Sequence, residues 1–166
     1  MKNKKALSQI VSAVVLILIT LAAIAIIWGI VQSFVVKRLD KTKSCSGILN
    51  KIRINDEYTC YDEKTGLLQI SIIREDVDVD SLLVGISMET YSETFTLTEE
   101  EVNLTNVKNY PYETENVSLP SKEGGKTYYV YGINSIPEKI DLAPKINKNQ
   151  CGVSDFTSNV VLCTIH

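Results

Sequence analysis

Residues 7–36 read LSQIVSAVVLILITLAAIAIIWGIVQSFVV, thirty positions without one charged side chain. A run of eighteen or more apolar residues is long enough for a helix that crosses a membrane, and residues 10–31 meet that length comfortably. The polar members are small or uncharged (Ser8, Gln9, Ser12, Thr20, Gln32, Ser33), and no proline interrupts them. Each backbone amide can therefore bond within the helix, as hydrocarbon demands. The expectation is a single membrane helix, with Lys2, Lys4 and Lys5 before it and Lys37, Arg38, Lys41 and Lys43 after it. Lys37 and Arg38 are expected to snorkel toward lipid head groups, with Trp28 near the same interface.

Three kinds of segment begin with lysines and continue with aliphatics: a secretory signal peptide, a plain signal anchor and the helix of a filament subunit. The apolar core of a signal peptide is about 7–15 residues and ends at a small-residue cleavage site. Here the run is far longer and passes through Phe34, Val35 and Val36 into a basic segment without an Ala-x-Ala-like exit, which argues against removal of the whole segment. The other two kinds are separated by the place where charge stops, at Lys4-Lys5-Ala6-Leu7-Ser8-Gln9-Ile10.

Two lysines, a small residue and an abrupt apolar start resemble the class III signal peptide of archaeal type IV pilins. The resemblance implies that Lys4 and Lys5 are read by a membrane-embedded prepilin peptidase that cuts between Ala6 and Leu7. It also makes Gln9 the glutamine favoured near the mature start. The glutamate that bacterial pilins carry at the fifth mature position is here Val11, which points to the archaeal type. Three partners are implied: the peptidase, a membrane platform protein with its assembly ATPase, and other pilin subunits in a homopolymer. The competing reading is a non-polymerising, single-pass anchored protein with an extracellular binding domain.

The expected organisation is a leader at residues 1–6, a transmembrane and filament-core helix with its stalk at 7–44, and an extracellular head at 45–166. Charge divides the same way. Residues 1–44 carry seven Lys or Arg against one acid, and residues 45–166 carry ten against nineteen. Nucleic acid is excluded as a partner of so acidic a head, because phosphate binding needs clustered positive charge.

Flanking lysines are too evenly balanced to orient the helix by the positive-inside rule. Other features favour a head outside the cell and, on assembly, on a surface filament. Cys45, Cys60, Cys151 and Cys163 all follow the helix, an even number suited to disulfides in an oxidising compartment. Two N-glycosylation sequons, Asn103-Leu-Thr105 and Asn116-Val-Ser118, lie there too. Zinc is disfavoured, since structural zinc pairs come two to four residues apart. Four cysteines allow three pairings. A single extended strand over residues 48–58 would hold Cys45 and Cys60 too far apart to bridge, which favours bridges from the first pair to the last.

Beyond residue 47 the pattern turns to period two and short β-branched runs. Strands are expected at 48–58, 67–73, 82–88, 94–97, 127–133, 136–142 and 159–165, with a turn at 62–66 that makes residues 48–74 a hairpin, and with a polar exposed loop that contains Asn109, Pro111, Pro120 and both sequons, where Gly124-Gly125 reads as a turn. About seven short strands predict an all-β sandwich, and pilin heads of the immunoglobulin-like type make the resemblance agree. The fold class is α+β, a long hydrophobic helix followed by a β-sandwich head.

Catalytic chemistry finds little support. The one histidine is His166, the last residue, so no Ser-His-Asp or Cys-His arrangement has a base within the fold. Asp76, Asp78 and Asp80 alternate as calcium ligands do, but Ser81 and Ser87 stand where a helix–loop–helix calcium loop needs Gly and Glu. They read as a solvated strand edge or loop, and Glu99-Glu100-Glu101 as a solvated face. The expectation is a structural protein with no enzyme activity, cofactor or metal, serving adhesion through its exposed head.

Overall fold

A computed structural model describes residues 3–163, with side chains for residues 11–36 and 45–163. Two units result, residues 1–42 and residues 43–166.

The first unit is the body of one helix, α1 (Asn3–Cys45), 43 residues without a break. At 1.5 Å per residue it is roughly 65 Å long. It begins earlier than the sequence led us to expect, because Asn3, Lys4, Lys5 and Ala6 join it rather than standing apart as an unfolded leader. Nothing between Lys4 and Leu7 breaks a helix, and Lys, Ala and Leu all favour one. The stretch Val11–Val36 is long and apolar enough to cross a membrane, and none of its most hydrophobic window is buried. The hydroxyls of Thr20 and Ser33 donate to the carbonyls of Ile17 and Ile30, each at 2.8 Å, so these polar interruptions are satisfied by the helix itself.

The second unit is β-rich. Its strands are β1 (Ile52–Ile54), β2 (Cys60–Asp62), β3 (Leu67–Arg74), β4 (Ser81–Ser87), β5 (Ser92–Thr98), β6 (Val102–Asn103), β7 (Val107–Asn109), β8 (Asn116–Val117), β9 (Gly124–Val130), β10 (Lys139–Ile146), β11 (Asn149–Gln150), β12 (Asp155–Thr157) and β13 (Val161–Leu162). One sheet runs β13-β2-β3-β9-β7, with β1 also on β3; a second runs β11-β10-β4-β5, with β12 also on β10; β6 and β8 form a two-stranded ribbon. All pairs are antiparallel except β13 with β2. Alternate residues of both main sheets, among them Leu68, Ile70, Ile72, Tyr128, Leu82, Val84, Ile86, Ile140 and Leu142, enter one hydrophobic cluster.

The expected hairpin over residues 48–74 is present, but its first arm is not one strand. β1 and β2 lie end to end along β3, with Ile54 opposite Ile72 and Cys60 opposite Gln69, and a 3-10 turn (Asp56–Tyr58) interrupts them. Asn55 Oδ1 accepts from the Glu57 amide and caps this turn. Thr59, buried at the break, mends the ladder: its hydroxyl accepts from the Ser71 amide at 3.1 Å and donates to the Asn55 carbonyl at 2.8 Å. The turn at the other end is held by Asp62, whose carboxylate accepts from the Lys64 amide and the Thr65 hydroxyl. Gly66 has φ +64°, and a Cβ there would meet the Ile133 carbonyl at 2.9 Å, so this turn requires glycine twice over.

Several other expectations need correction. The polar stretch read as exposed loop holds β6, β7 and β8, and buries Val107, Val117 and Leu119. Gly124 and Gly125 open β9 opposite Arg74 and Ile73; they are not a turn. The strand expected at 136–142 starts three residues later, after Pro137, and runs on to Ile146 through Pro144. In a strand the amide and carbonyl of one residue point the same way. The Pro144 carbonyl accepts from the Cys151 amide, so its missing donor faces the side of β10 where β12 and β11 leave a gap, and the long ladder between β10 and β4 is untouched. Thr164, Ile165 and His166 lie outside the described residues.

The disulfides are Cys45–Cys151 and Cys60–Cys163, with Cα separations of 5.5 and 4.9 Å. Bridges do run from the first pair to the last. Cys45, where α1 ends, is thus bonded to the residue that follows β11, and β13 is clamped against β2. Between the sheets, Ser154 Oγ lies 3.2 Å from the carbonyls of both Ile52 and Leu142, and Asp155 accepts from the Ile54 amide at 2.8 Å. The segment preceding β13 therefore stitches β1 to β10. In the loop-entropy account a closed loop of about 100 residues is worth about 4–5 kcal/mol. Cys60→Ser with Cys163→Ser is expected to lower the melting temperature of the detergent-solubilised chain sharply, and the unaltered chain is expected to show four thiols only after reduction.

Arg74 was not singled out by sequence. Its side chain is 3 % exposed, with Nε donating to the Val77 carbonyl, Nη1 to the Pro120 carbonyl and Nη2 to Glu99 Oε1 at 2.8 Å. It ties the end of β3 to the loops before β4 and β9. Removing the guanidinium orphans two carbonyls, whereas Glu99 is 59 % exposed and water can replace it. Arg74→Ala is expected to cost about 3 kcal/mol and Glu99→Ala no more than about 1 kcal/mol, measured by denaturant titration of the solubilised protein.

Candidate functional site

The feature most in need of a function is the surface of α1. Seventeen large apolar side chains between Val11 and Val36 are exposed, Leu16, Ile19, Ile26, Trp28 and Phe34 each by more than 60 %. They lie on every side of the helix, not along one stripe, so no single flat partner could cover them. Ala13, Ala22, Ala23, Ala25 and Gly29 interrupt this surface with small residues, and a Cβ at Gly29 would meet nothing within 4 Å. Such gaps admit close approach of a second helix.

Of the expected processing residues, Lys4, Lys5, Ala6, Leu7 and Gln9 lie on the first turns of α1; their side chains, and those of Lys37 and Arg38, lie outside the described residues. Both sequons lie in the head. Asn103 and Asn116 are direct cross-strand partners in the β6–β8 ribbon, and both are exposed.

The acidic residues are engaged in ion pairs and backbone contacts. Lys122 pairs with Asp78 and lies 3.9 Å from Asp76, and its hydrogen bond holds the Asp78 carboxyl below the usual range. Asp80 accepts from the Lys148 amide at 2.8 Å. Glu99, expected on a solvated face, is the partner of Arg74. No group of three His, Cys, Asp or Glu able to hold a metal occurs among the described residues. An open groove of about 530 Å³ is lined by Asp78, Val79, Asp80, Thr98, Glu99 and Glu100. It offers carboxylates and the Thr98 hydroxyl, which donates to the Glu100 carbonyl at 2.7 Å.

Tyrosines cover part of the outward face of the larger sheet. Tyr110 and Tyr129 meet edge to face at 5.4 Å, Tyr129 and Tyr131 at 6.5 Å, and Lys108 lies over the Tyr131 ring. Tyr128, the residue of β9 before Tyr129, points inward and donates to the Ser118 carbonyl at 2.6 Å. Neither cluster was foreseen, although Thr127-Tyr-Tyr-Val-Tyr131 alternates enough to have split its tyrosines between the two faces.

No family model matches the chain, and neither does any curated protein or solved structure. Functional reading therefore rests on the residues themselves.

Burial raises the pKa of Tyr128 far above its ordinary value. An unfolded tyrosine ionises near pH 10, so above that pH the unfolded chain releases a proton that the fold retains. Stability is full below about pH 10 and falls as pH rises beyond it. Tyr128→Phe is expected to flatten that alkaline decline in a series of melting temperatures, at a cost of about 1 kcal/mol for the lost hydrogen bond.

Proposed function

We propose that the chain is a structural subunit, a pilin, of an archaeal type IV pilus-like surface filament. The observation that carries the reading is the helix Val11–Val36, apolar on all sides and wholly uncovered, leading directly into a disulfide-bonded β head. As precursor the chain is a single-pass membrane protein with the head outside. Cleavage after Ala6 by a prepilin peptidase releases a mature chain beginning at Leu7. The platform protein and its ATPase then draw the helix from lipid into a bundle of identical helices, where neighbouring apolar side chains replace the acyl chains as solvent.

Support for an external head comes from its four cysteines, all paired. The two mainly antiparallel sheets around one cluster are consistent with an immunoglobulin-like sandwich, the finer fold we assign to it. The outward tyrosines suit adhesion better than catalysis, and we read the head as a binding surface without enzyme activity, cofactor or metal.

Sequencing the N-terminus of the protein from sheared surface filaments and from membranes tests the proposal. A chain that starts at Leu7 in the filament fraction is expected. An intact Met1-Lys2 start, found only in membranes, overturns it and leaves a non-polymerising anchored protein with an extracellular binding domain.

A further inference from the structure

The two sequons are 13 positions apart in sequence, yet the fold makes them neighbours. β6 and β8 pair antiparallel with Val102 opposite Val117 and Asn103 opposite Asn116. Val117 is buried and Val102 half-buried, so the opposite face of the ribbon, with both asparagines, is turned to solvent. Side chains directly opposed in such a pair have Cβ atoms about 4.5–5.5 Å apart. The ribbon is fixed from beneath: Asn109 Nδ2 donates to the Asn116 carbonyl at 2.6 Å and to Thr114 Oγ1 at 3.0 Å, and the Leu119 amide to the Thr98 carbonyl. The asparagines cannot drift apart without unmaking these bonds. Asn103 Nδ2 has only a long, exposed contact with Glu115 Oε2, at 3.4 Å, and the Asn116 amide group has no side-chain partner among the described residues.

We propose that this ribbon is a single N-glycan acceptor locus at which Asn103 and Asn116 exclude one another. In the transfer step the side-chain amide nitrogen of one asparagine attacks the anomeric carbon of a saccharide carried on a lipid phosphate. A new C–N bond forms, the C–O bond to the phosphate breaks, the phosphate leaves with the electron pair, and the amide gives up one proton. A transferase must surround the acceptor tripeptide to do this. Once one asparagine carries a saccharide, that bulk stands a single strand spacing from the other acceptor and fills the space the enzyme needs. The second sequon is thereby closed by the first glycan, and the outcome is one glycan per head. The inference rests on the outward placement of the head proposed above, and not on polymerisation.

The test is the intact mass of the full chain purified from its native membranes, with glycopeptide mapping, for the unaltered protein and for Asn103→Gln, Asn116→Gln and the double variant. Both positions are exposed, and the absence of free thiols in each variant verifies that the head has folded. One saccharide unit per molecule is expected in the unaltered chain and in each single variant, with Asn116 occupancy rising when Asn103 is removed, and none in the double variant. Two glycans on one molecule overturn the proposal. So does an unmodified ribbon, and the thiols then say which premise failed: paired cysteines leave the external head standing, whereas four free thiols remove it as well.

Discussion

A helix whose apolar surface is uncovered on every side is the constraint from which the rest of this molecule follows. Burying one large aliphatic or aromatic side chain is worth about 1.5–3 kcal/mol. Seventeen such side chains lie exposed between Val11 and Val36. Even with their partial cover by neighbours on the helix discounted by half, leaving them in water forfeits on the order of 15 kcal/mol or more, as much as the whole stability of an ordinary domain, about 5–15 kcal/mol. Nothing in the head is large enough to offset that. Lipid could supply such cover, and the segment Val11–Val36 is long and apolar enough to cross a membrane.

The head solves a different problem. Its chain enters at Cys45 and ends beyond Cys163, and both disulfides join an early residue to a late one across more than a hundred positions. The same late segment crosses from the smaller sheet to the larger, with Ser154 and Asp155 bonded to β1 on the way. The bridges and the polar stitch act on the same side of the fold, where β1, β2, β10, β12 and β13 meet. Arg74, opposite Ile52 of β1 at the end of β3, does equivalent work for the loops, binding the carbonyls of Val77 and Pro120. Loops that would otherwise leave unpaired backbone groups near the core are thus closed by side chains.

What the sequence disclosed, and what it concealed, divides along these lines. Strands β3, β4 and β5 were legible because Leu68, Ile70 and Ile72, Leu82, Val84 and Ile86, or Phe95 and Leu97 recur at every second position, and period two is a local signal. The first arm of the hairpin was misread because isoleucines at 48, 52 and 54 outweighed Asn55-Asp56-Glu57, whose side-chain cap sets a turn. The ribbon β6–β8 was hidden because each strand has two residues, too few to show a period. Pro144 illustrates a third kind of failure: its tolerance depends on a gap between two other strands, which is tertiary information. Arg74 looked like the polar end of a strand, and only the positions of Val77, Pro120 and Glu99 turn it into a buried tie. That the bridges run from the first pair of cysteines to the last was anticipated, with two pairings left open, although its premise of one unbroken strand was not met. β1 and β2 still run end to end along β3, so the interrupted strand separates Cys45 from Cys60 much as a continuous one would.

Charge completes the division of labour between the two units. Seven of the seventeen basic residues flank the apolar stretch of α1 and nineteen of the twenty acids lie in the head, which is therefore net acidic, so an assembly that packs helices together would also gather like-charged heads around them. Exposed charges farther apart than about 8–10 Å are largely screened at physiological ionic strength, which makes such crowding tolerable provided the heads touch through their less charged faces. Tyr110, Tyr129 and Tyr131 lie on the outward face of the larger sheet with Lys108 among them, whereas Asp76, Asp78, Glu99 and Glu100 gather near the groove before β4. A head that met its neighbours through the aromatic face and turned the acidic groove to water would satisfy both requirements, its tyrosines then adding to the cohesion that the helix supplies.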